Sequence, residues 1–155
     1  MPSTSDRIEK EIVLDTPRSR VWRAITTVSD FNEWFGVSLN GTFAPGAELS
    51  GRITTPGYDH LTMTIWVESL DPEELFSFHW HPYAIDSAVD YSSQPTTLVS
   101  FKLTDVAGGT RLTVTESGFD KVPADRRDEA FLRNSEGWAI QVQNIRKHLE
   151  KALAR

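Results

Sequence analysis

The feature that most constrains this chain is a long amphipathic segment, Val122 to Arg155, that follows a series of strand-like stretches. Its apolar residues recur every three or four positions, so on a helix they form one continuous stripe. The residues of this stripe are Phe131, Trp138, Val142, Ile145, Leu149 and Leu153. A single helix beside a strand-rich body must bury such a stripe against a sheet. Because a curved sheet that closes around a helix often leaves an interior cavity, we expect a pocket between the two.

The composition is that of a soluble protein with one domain over residues 1–155. The formal net charge of −6 disfavours nucleic acid and anionic membranes as partners, because both bind clusters of Lys and Arg. The absence of cysteine excludes disulfides, thiolate nucleophiles and cysteine-ligated metals. No stretch has the apolar length of a signal peptide or a membrane span, so we expect a cytoplasmic protein.

Seven segments show the alternation of strands, some of them weakly. They are Ile8 to Leu14, Phe35 to Leu39, Ala47 to Thr54, Leu61 to Leu70, Leu75 to His81, Thr97 to Leu103 and Thr110 to Ser117. Turn residues such as Asp71-Pro72 and Gly108-Gly109 connect successive strands closely, which favours antiparallel neighbours. The stretch from Pro82 to Pro95 is rich in Ser, Asp and Tyr and has no such pattern. It is either a lid or binding loop, or a flexible insertion.

Two short helices are predicted after the first strand. Asp15 or Thr16 is expected to cap the first helix, with Pro17 at an early helical position. Ser29-Asp30 offers a cap for the second helix, and Gly36 is expected to end it.

A set of short motifs occurs in a fixed order between residues 8 and 153. It consists of Thr16-Pro17, Val21-Trp22-Arg23-Ala24, Phe31-Asn32-Glu33-Trp34-Phe35, Asp71-Pro72, Leu75 to Trp80, Gly109-Thr110-Arg111-Leu112-Thr113-Val114, Glu116-Ser117-Gly118-Phe119 and Glu136-Gly137-Trp138. With these motifs the chain resembles the START-like (SRPBCC) helix-grip superfamily. Within that superfamily it is most similar to the family named for activators of the ninety-kilodalton heat-shock protein's ATPase.

The resemblance implies an α+β fold, in which an antiparallel sheet of about six or seven strands wraps around the long C-terminal helix. It also implies a hydrophobic cavity between sheet and helix. Family members include chaperone-activating domains, and the wider superfamily includes lipid carriers, hormone receptors and polyketide cyclases or aromatases. In the chaperone activators this domain follows a different N-terminal domain, and none precedes it here, so a chaperone is the least favoured partner.

Ten residues are candidates for ligand binding because the predicted faces point them toward this cavity. They are Trp34, Phe35, Met63, Phe76, Phe78, Trp80, Phe101, Glu116, Ser135 and Trp138. The flat aromatic side chains suit a planar or polycyclic ligand. Filling the core is the commoner role of aromatic residues and is the favoured interpretation. Some of these residues could nevertheless pack in the core while others face the cavity. Ser135, Asn134 and Gln141 flank the helix stripe, and Ser135 is expected to lie nearest the cavity.

Glu116 is the candidate catalytic residue. It has the same strand parity as Leu112 and Val114, so continued alternation would point its carboxylate into the cavity. Burial would raise its pKa and suit it to general acid or base chemistry. The alternative is that Glu116 lies hydrated at the strand end or paired with an arginine. We favour this alternative, because charged residues are seldom fully buried.

The histidines allow a metal hypothesis. His79 and His81 lie two residues apart, and a tight hairpin at Asp71-Pro72 would place His60 nearly opposite His81. Three imidazoles on one face could form an open zinc site. That face is otherwise lined by serine and threonine and is expected to face solvent, and no carboxylate is spaced to orient the rings. We therefore predict no metal and no other cofactor.

Three functional hypotheses follow. The first is non-catalytic binding of a small hydrophobic, aromatic or lipid-like molecule in the cavity. The second is a polyketide cyclase or aromatase-like enzyme that uses Glu116 as acid or base, with Ser135 and Tyr83 as further candidates. The third is a co-chaperone-like module for protein interaction. The chain is expected to be a monomer or a homodimer.

Overall fold

The structure of the chain, here a computed structural model, describes residues 7–86 and 88–153, with side chains up to residue 151. These residues form seven strands, three α-helices and one short 3-10 helix. In chain order the elements are β1 (Arg7–Leu14), α1 (Arg18–Thr26), α2 (Val28–Phe35), β2 (Val37–Leu39), β3 (Glu48–Ile53), β4 (Thr62–Asp71), β5 (Leu75–Trp80), β6 (Thr97–Val106), β7 (Gly109–Ser117), the 3-10 helix (Phe119–Lys121) and α3 (Ala124–Leu153).

The strands form one antiparallel sheet in the order β1-β7-β6-β5-β4-β3-β2. From β2 to β7 each strand pairs with its neighbour in sequence, as short connections favour. The first strand instead pairs with the last one, so that Ile8 lies opposite Glu116 and Ile12 opposite Leu112. With α3 as the long C-terminal helix, this arrangement confirms the expected α+β helix-grip architecture.

Helix α3 contacts β1, α1 and α2. Four residues of its predicted stripe are buried: Trp138, Val142, Ile145 and Leu149. Phe131 is half-buried against the core, and the side chain of Leu153 lies outside the described residues. The helix begins at Ala124 rather than at the predicted Val122, because Val122 is in an extended conformation and Pro123 fixes the turn that follows. No helix among the described residues is long and apolar enough to cross a membrane.

The start of α1 differs from the prediction. Its N-cap is Pro17, in an extended conformation, and neither Asp15 nor Thr16 makes a capping hydrogen bond. Thr16 is buried, and its carbonyl oxygen accepts a hydrogen bond of 2.7 Å from Thr110 Oγ1. The residue predicted as a helix cap is therefore tied to β7, which lies far away in sequence.

Helix α2, in contrast, starts earlier than predicted. It begins at Val28, so Ser29 and Asp30 lie within its first turn rather than before it. A carboxylate in the first turn is favoured by the helix dipole, which explains why Asp30 is tolerated there. Gly36 ends the helix, as predicted, with a φ of 90° that glycine adopts without strain.

The β4–β5 hairpin turns later than the sequence analysis assumed. Asp71 lies opposite Leu75, so the turn is made by residues 72–74 rather than by Asp71-Pro72 alone. His60 therefore precedes the start of β4 and does not lie opposite His81. This register removes the geometric basis of the three-histidine site.

Candidate ligand-binding site

Most of the predicted aromatic residues form the packed core. Trp34, Phe76, Phe78, Phe101 and Trp138 are buried. The rings of Phe76 and Phe101 stack with centroids 5.8 Å apart, and Phe101 meets Trp138 edge-on at 5.7 Å. Contacts at these distances are those of closely packed aromatic pairs. The space under α3 that was expected to be hollow is therefore largely filled by rings at this level, and the pocket lies at one end of it.

That pocket has a volume of about 650 Å³ and opens where β5 ends. The β4–β5 pairing reaches only to Trp66 and His79, whereas β4 itself starts at Thr62. Beyond Trp80 the chain leaves the sheet, and the segment 82–95 contributes residues to the pocket wall. The pocket thus occupies the position where β4 pairs with β3 on one side but has no β5 residue on the other, and residues from both faces of β4 line it.

Just over half of the residues that line this pocket are aromatic or aliphatic, and the others are polar or charged. Its larger apolar and aromatic residues are Phe35, Ile53, Leu61, Met63, Trp66, Trp80, Tyr83, Ile85, Val89 and Tyr91. Phe35, Met63 and Trp80 are the predicted ligand-binding residues among them. Helix α3 contributes Asn134, whereas the neighbouring Ser135 does not line the pocket.

Glu116 lies fully buried behind two of these wall residues, Trp80 and Asn134. Its Oε1 accepts hydrogen bonds from Trp138 Nε1 at 2.8 Å and from Asn134 Nδ2 at 3.0 Å. Its Oε2 accepts hydrogen bonds from Trp80 Nε1 at 2.8 Å and from Thr97 Oγ1 at 2.6 Å. Both oxygens are thus occupied by neutral donors from β5, β6 and α3.

Burial raises the pKa of Glu116 above its ordinary value, because the ionised form loses its hydration. The hydrogen bonds from its four partners oppose this effect, because each of them stabilises the ionised form. Among the described residues, none of its hydrogen-bond donors is a lysine or an arginine. The favoured expectation of a hydrated or arginine-paired carboxylate is therefore wrong, and strand parity gave the correct direction.

The segment 82–95 is held near the pocket by Arg126 of α3. Arg126 Nη1 donates a hydrogen bond of 2.7 Å to the carbonyl oxygen of Pro82, and its Nε donates one of 2.9 Å to Gln94 Oε1. The guanidinium carbon lies 4.8 Å from the ring centre of Tyr91, a cation–π distance. These contacts join both ends of the segment to the start of α3.

The three histidines do not converge. His60 is exposed, and His79 Nε2 lies 3.1 Å from Glu68 Oε1. His81 Nε2 lies 3.1 Å from the carbonyl oxygen of Gln94. Within the part of the chain that the structure describes, no group of three or more His, Asp or Glu side chains could hold a metal ion.

Solved structures share this fold at low sequence identity. Protein MLL2253 from Mesorhizobium loti superposes with a TM-score of 0.74 and 22% identity, over 94% of this chain and 97% of that one. Protein NE0264 from Nitrosomonas europaea superposes with a TM-score of 0.77 and 18% identity, over 99% of this chain and 100% of that one. The solution structure of the Aha1 dimer from Colwellia psychrerythraea superposes with a TM-score of 0.70 and 17% identity, over 93% of this chain and 96% of that one. At these identities the likeness shows the fold.

The sequence itself gives a more specific result. No curated protein matches it. A family model, described as "Activator of Hsp90 ATPase homolog 1-like protein", matches residues 15–150, which is most of the chain and includes the strands and helices that build the pocket. The resemblance inferred from the ordered motifs is thereby confirmed. The chain belongs to the family of activator of Hsp90 ATPase homolog 1-like proteins.

Proposed function

We propose that this protein binds a small molecule with an aromatic or otherwise apolar body in the pocket at the end of β5, without transforming it. The position of Trp80 carries this proposal. Its ring is half-buried on the pocket wall and packs against Phe35 and Trp138, with centroids 5.8 and 5.6 Å away. Because its N–H is bound to Glu116, the ring is fixed and offers a rigid apolar surface to a planar ligand.

The size and lining of the pocket support a binding role. A volume of about 650 Å³ falls within the range of roughly 300–1,000 Å³ that is common for small-molecule sites. Such sites are usually lined by apolar and aromatic side chains together with polar groups, and this pocket combines both kinds. The helix-grip fold, which includes ligand carriers and receptors, is consistent with that role.

The geometry of Glu116 favours binding over acid–base catalysis. A general acid or base must come within hydrogen-bond reach of the reacting group. Both oxygens of Glu116 already accept hydrogen bonds, and Trp80 and Asn134 lie between the carboxylate and the pocket. A ligand in the pocket would meet those two side chains first. The catalytic role of Glu116 stays a sequence prediction, as do a homodimer and a chaperone partner.

The proposal can be tested with the neutral fluorescent probe N-phenyl-1-naphthylamine. Thr62 is an exposed residue on the pocket wall, so Thr62→Trp should occupy the pocket without disturbing the core. We expect this variant to bind the probe about tenfold more weakly than the wild type, a change that corresponds to about 1.4 kcal/mol. Thr104→Trp, at an exposed threonine of β6 away from the pocket wall, is the matched control and should bind normally. Equal binding by both variants, or no binding by the wild type, would refute the proposal.

A further inference from the structure

The end of the pocket nearest Glu116 is bounded by two side chains whose donors contact that carboxylate. Trp80 and Asn134 are the polar side chains that reach it from β5 and α3. The indole N–H of Trp80 is bound to Glu116, and Asn134 Nδ2 lies 3.0 and 3.1 Å from the two carboxylate oxygens. The buried carboxylate therefore engages the indole N–H of Trp80 and an N–H of the Asn134 amide. A ligand that needs to accept a hydrogen bond at this end would have to compete with the carboxylate for these donors.

The same contact leaves a free acceptor on a residue of the pocket wall. Because the amide nitrogen of Asn134 is held against Glu116, its carbonyl oxygen lies on the opposite branch of the planar group. Among the described residues, no side chain donates a hydrogen bond to that oxygen. Arg126 Nη2 is the one buried side-chain atom there that has no partner, so the amide oxygen of Asn134 is not buried. An amide oxygen that is neither bonded nor buried can accept a hydrogen bond from a ligand.

The outer part of the pocket carries negative charge. Glu48, Asp86 and Asp90 line it, and no lysine or arginine is found among its described lining residues. Asp90 accepts a hydrogen bond of 3.0 Å from the backbone N–H of Ser92, a contact that lowers the pKa of Asp90 and keeps it ionised. Glu48 accepts its hydrogen bond from the neutral indole of Trp66. Neither of these partners carries a positive charge, although His81, which also lines the pocket, lies close enough to Asp90 to lower its pKa.

From the bound donors, the free amide oxygen and the carboxylates we infer that the ligand is an aromatic amine in its ammonium form. This inference rests on the proposed function and specifies the polar group of the ligand. The aromatic body would lie against Trp80 and Phe35, and the ammonium would donate to acceptors on the pocket wall. A ligand whose polar group is a carboxylate or a phosphate would meet like charge at the mouth and an acceptor at the end nearest Glu116.

Three naphthalene probes of similar size test the inference: 2-naphthylmethylammonium, 2-naphthylmethanol and 2-naphthoate. Their dissociation constants are measured by calorimetry at low ionic strength and pH 8, where histidine carries little charge. We expect the ammonium to bind about tenfold more tightly than the alcohol, and the carboxylate more weakly than both. The preference for the ammonium should shrink in 0.5 M salt, because screening weakens charge interactions at an open site.

A pair of matched variants identifies the source of the preference. Asp90→Asn removes one charge from the pocket and keeps an oxygen that can accept the N–H of Ser92. We expect it to bind the ammonium several-fold more weakly and to leave binding of the alcohol unchanged. Asp71→Asn removes the same charge at the hairpin end of β4 and should change neither.

These measurements distinguish failure of the inference from failure of the proposed function. If the alcohol and the ammonium bind with equal affinity, or the carboxylate binds most tightly, the inference is overturned and the proposed binding function stands. If Asp71→Asn weakens the ammonium as much as Asp90→Asn does, the preference reflects the net charge of the protein, and the inference is likewise overturned. If none of the three probes binds, the proposed function fails and the inference fails with it.

Discussion

Trp80 and Trp138 stack with ring centroids 5.6 Å apart, and their indole N–H groups donate to opposite oxygens of one buried carboxylate. Trp80 comes from β5 and Trp138 from α3, so the carboxylate of Glu116, on β7, connects distant parts of the sheet with the long helix. Because Trp80 also lines the pocket, this core arrangement fixes part of the binding surface.

Replacing Glu116 by glutamine should destabilise the fold. The amide would turn an NH₂ group toward donors that now meet an oxygen, which leaves buried donors without an acceptor. We expect the free energy of unfolding at pH 7 to fall by about 1–3 kcal/mol, measured by urea denaturation. Glu150→Gln, at an exposed site on α3, is the control and should change it by less than about 0.5 kcal/mol. Unchanged stability of Glu116→Gln would mean that the native carboxyl group is already neutral.

Glu116 also predicts a pH dependence. Burial raises its pKa in the folded state above the value in the unfolded chain, so the folded state binds more protons in the interval between the two. Its contribution to stability is therefore complete below the unfolded pKa and is lost as the pH rises through the folded pKa. Relative to Glu116→Gln, the wild type should lose stability as the pH increases from about 4. A carbon-13 NMR titration that places the carboxyl pKa below about 4.3 would contradict this.

Two tryptophan variants should lose different amounts of stability, although each loses one indole hydrogen bond to a glutamate. Trp80→Phe removes the donor to buried Glu116 at 2.8 Å, whereas Trp66→Phe removes a donor to exposed Glu48. We expect the free energy of unfolding to fall by about 2 kcal/mol in Trp80→Phe and by less than about 1 kcal/mol in Trp66→Phe, because water replaces the lost donor only at the surface. Chemical denaturation of both variants makes the comparison. Equal losses would show that the buried carboxylate has another source of stabilisation.

Removing the side chain of Arg126 should loosen the segment 82–95. Arg126→Ala loses the hydrogen bonds to Pro82 and Gln94. We expect amide hydrogen exchange in this segment to become roughly tenfold faster, with little change in the strands. Arg133→Ala, which removes an exposed arginine of the same helix, is the control. Unchanged exchange in Arg126→Ala would show that other contacts hold the segment.

Two glycine substitutions should have opposite effects on the stability of the protein. A Cβ at Gly137, inside α3, would meet no atom within 4 Å, so Gly137→Ala should stabilise the protein by about 0.5–1 kcal/mol through helix propensity. A Cβ at Gly51 would collide with the backbone carbonyl oxygen of Ser38, so Gly51→Ala must disrupt the β2–β3 pairing. Melting temperatures test both, and a destabilised Gly137→Ala variant would indicate a contact that the helix surface does not show.

The order of strands and helices could be predicted from the sequence because it depends on local periodicity. The inward direction of Glu116 also followed from its parity with Leu112 and Val114. Element ends were less predictable where long-range contacts decide them. Thr16 resembles a helix cap in sequence, but the hydrogen bond that occupies its carbonyl oxygen comes from Thr110 on β7.

The partners of Glu116 and the position of the pocket could not be predicted. The four donors come from β5, β6 and α3, and no local pattern relates them. The pocket depends on the point at which the chain leaves the sheet after Trp80. One signal was present: Asn134 precedes Trp138 by one helical turn, so the two side chains lie on the same side of α3 and reach the same carboxylate.

The pairing of β1 with β7 has a consequence for how the chain folds during synthesis. Arg7 lies opposite Ser117, so β1 leaves the ribosome long before β7, its neighbour in the sheet. Until then Ile8 and Ile12, which are buried in the native state, have no strand beside them to cover them. Contacts this far apart in sequence slow folding and lengthen the time for which apolar surface is exposed. The nascent chain is therefore exposed to aggregation through β1 until β7 is complete.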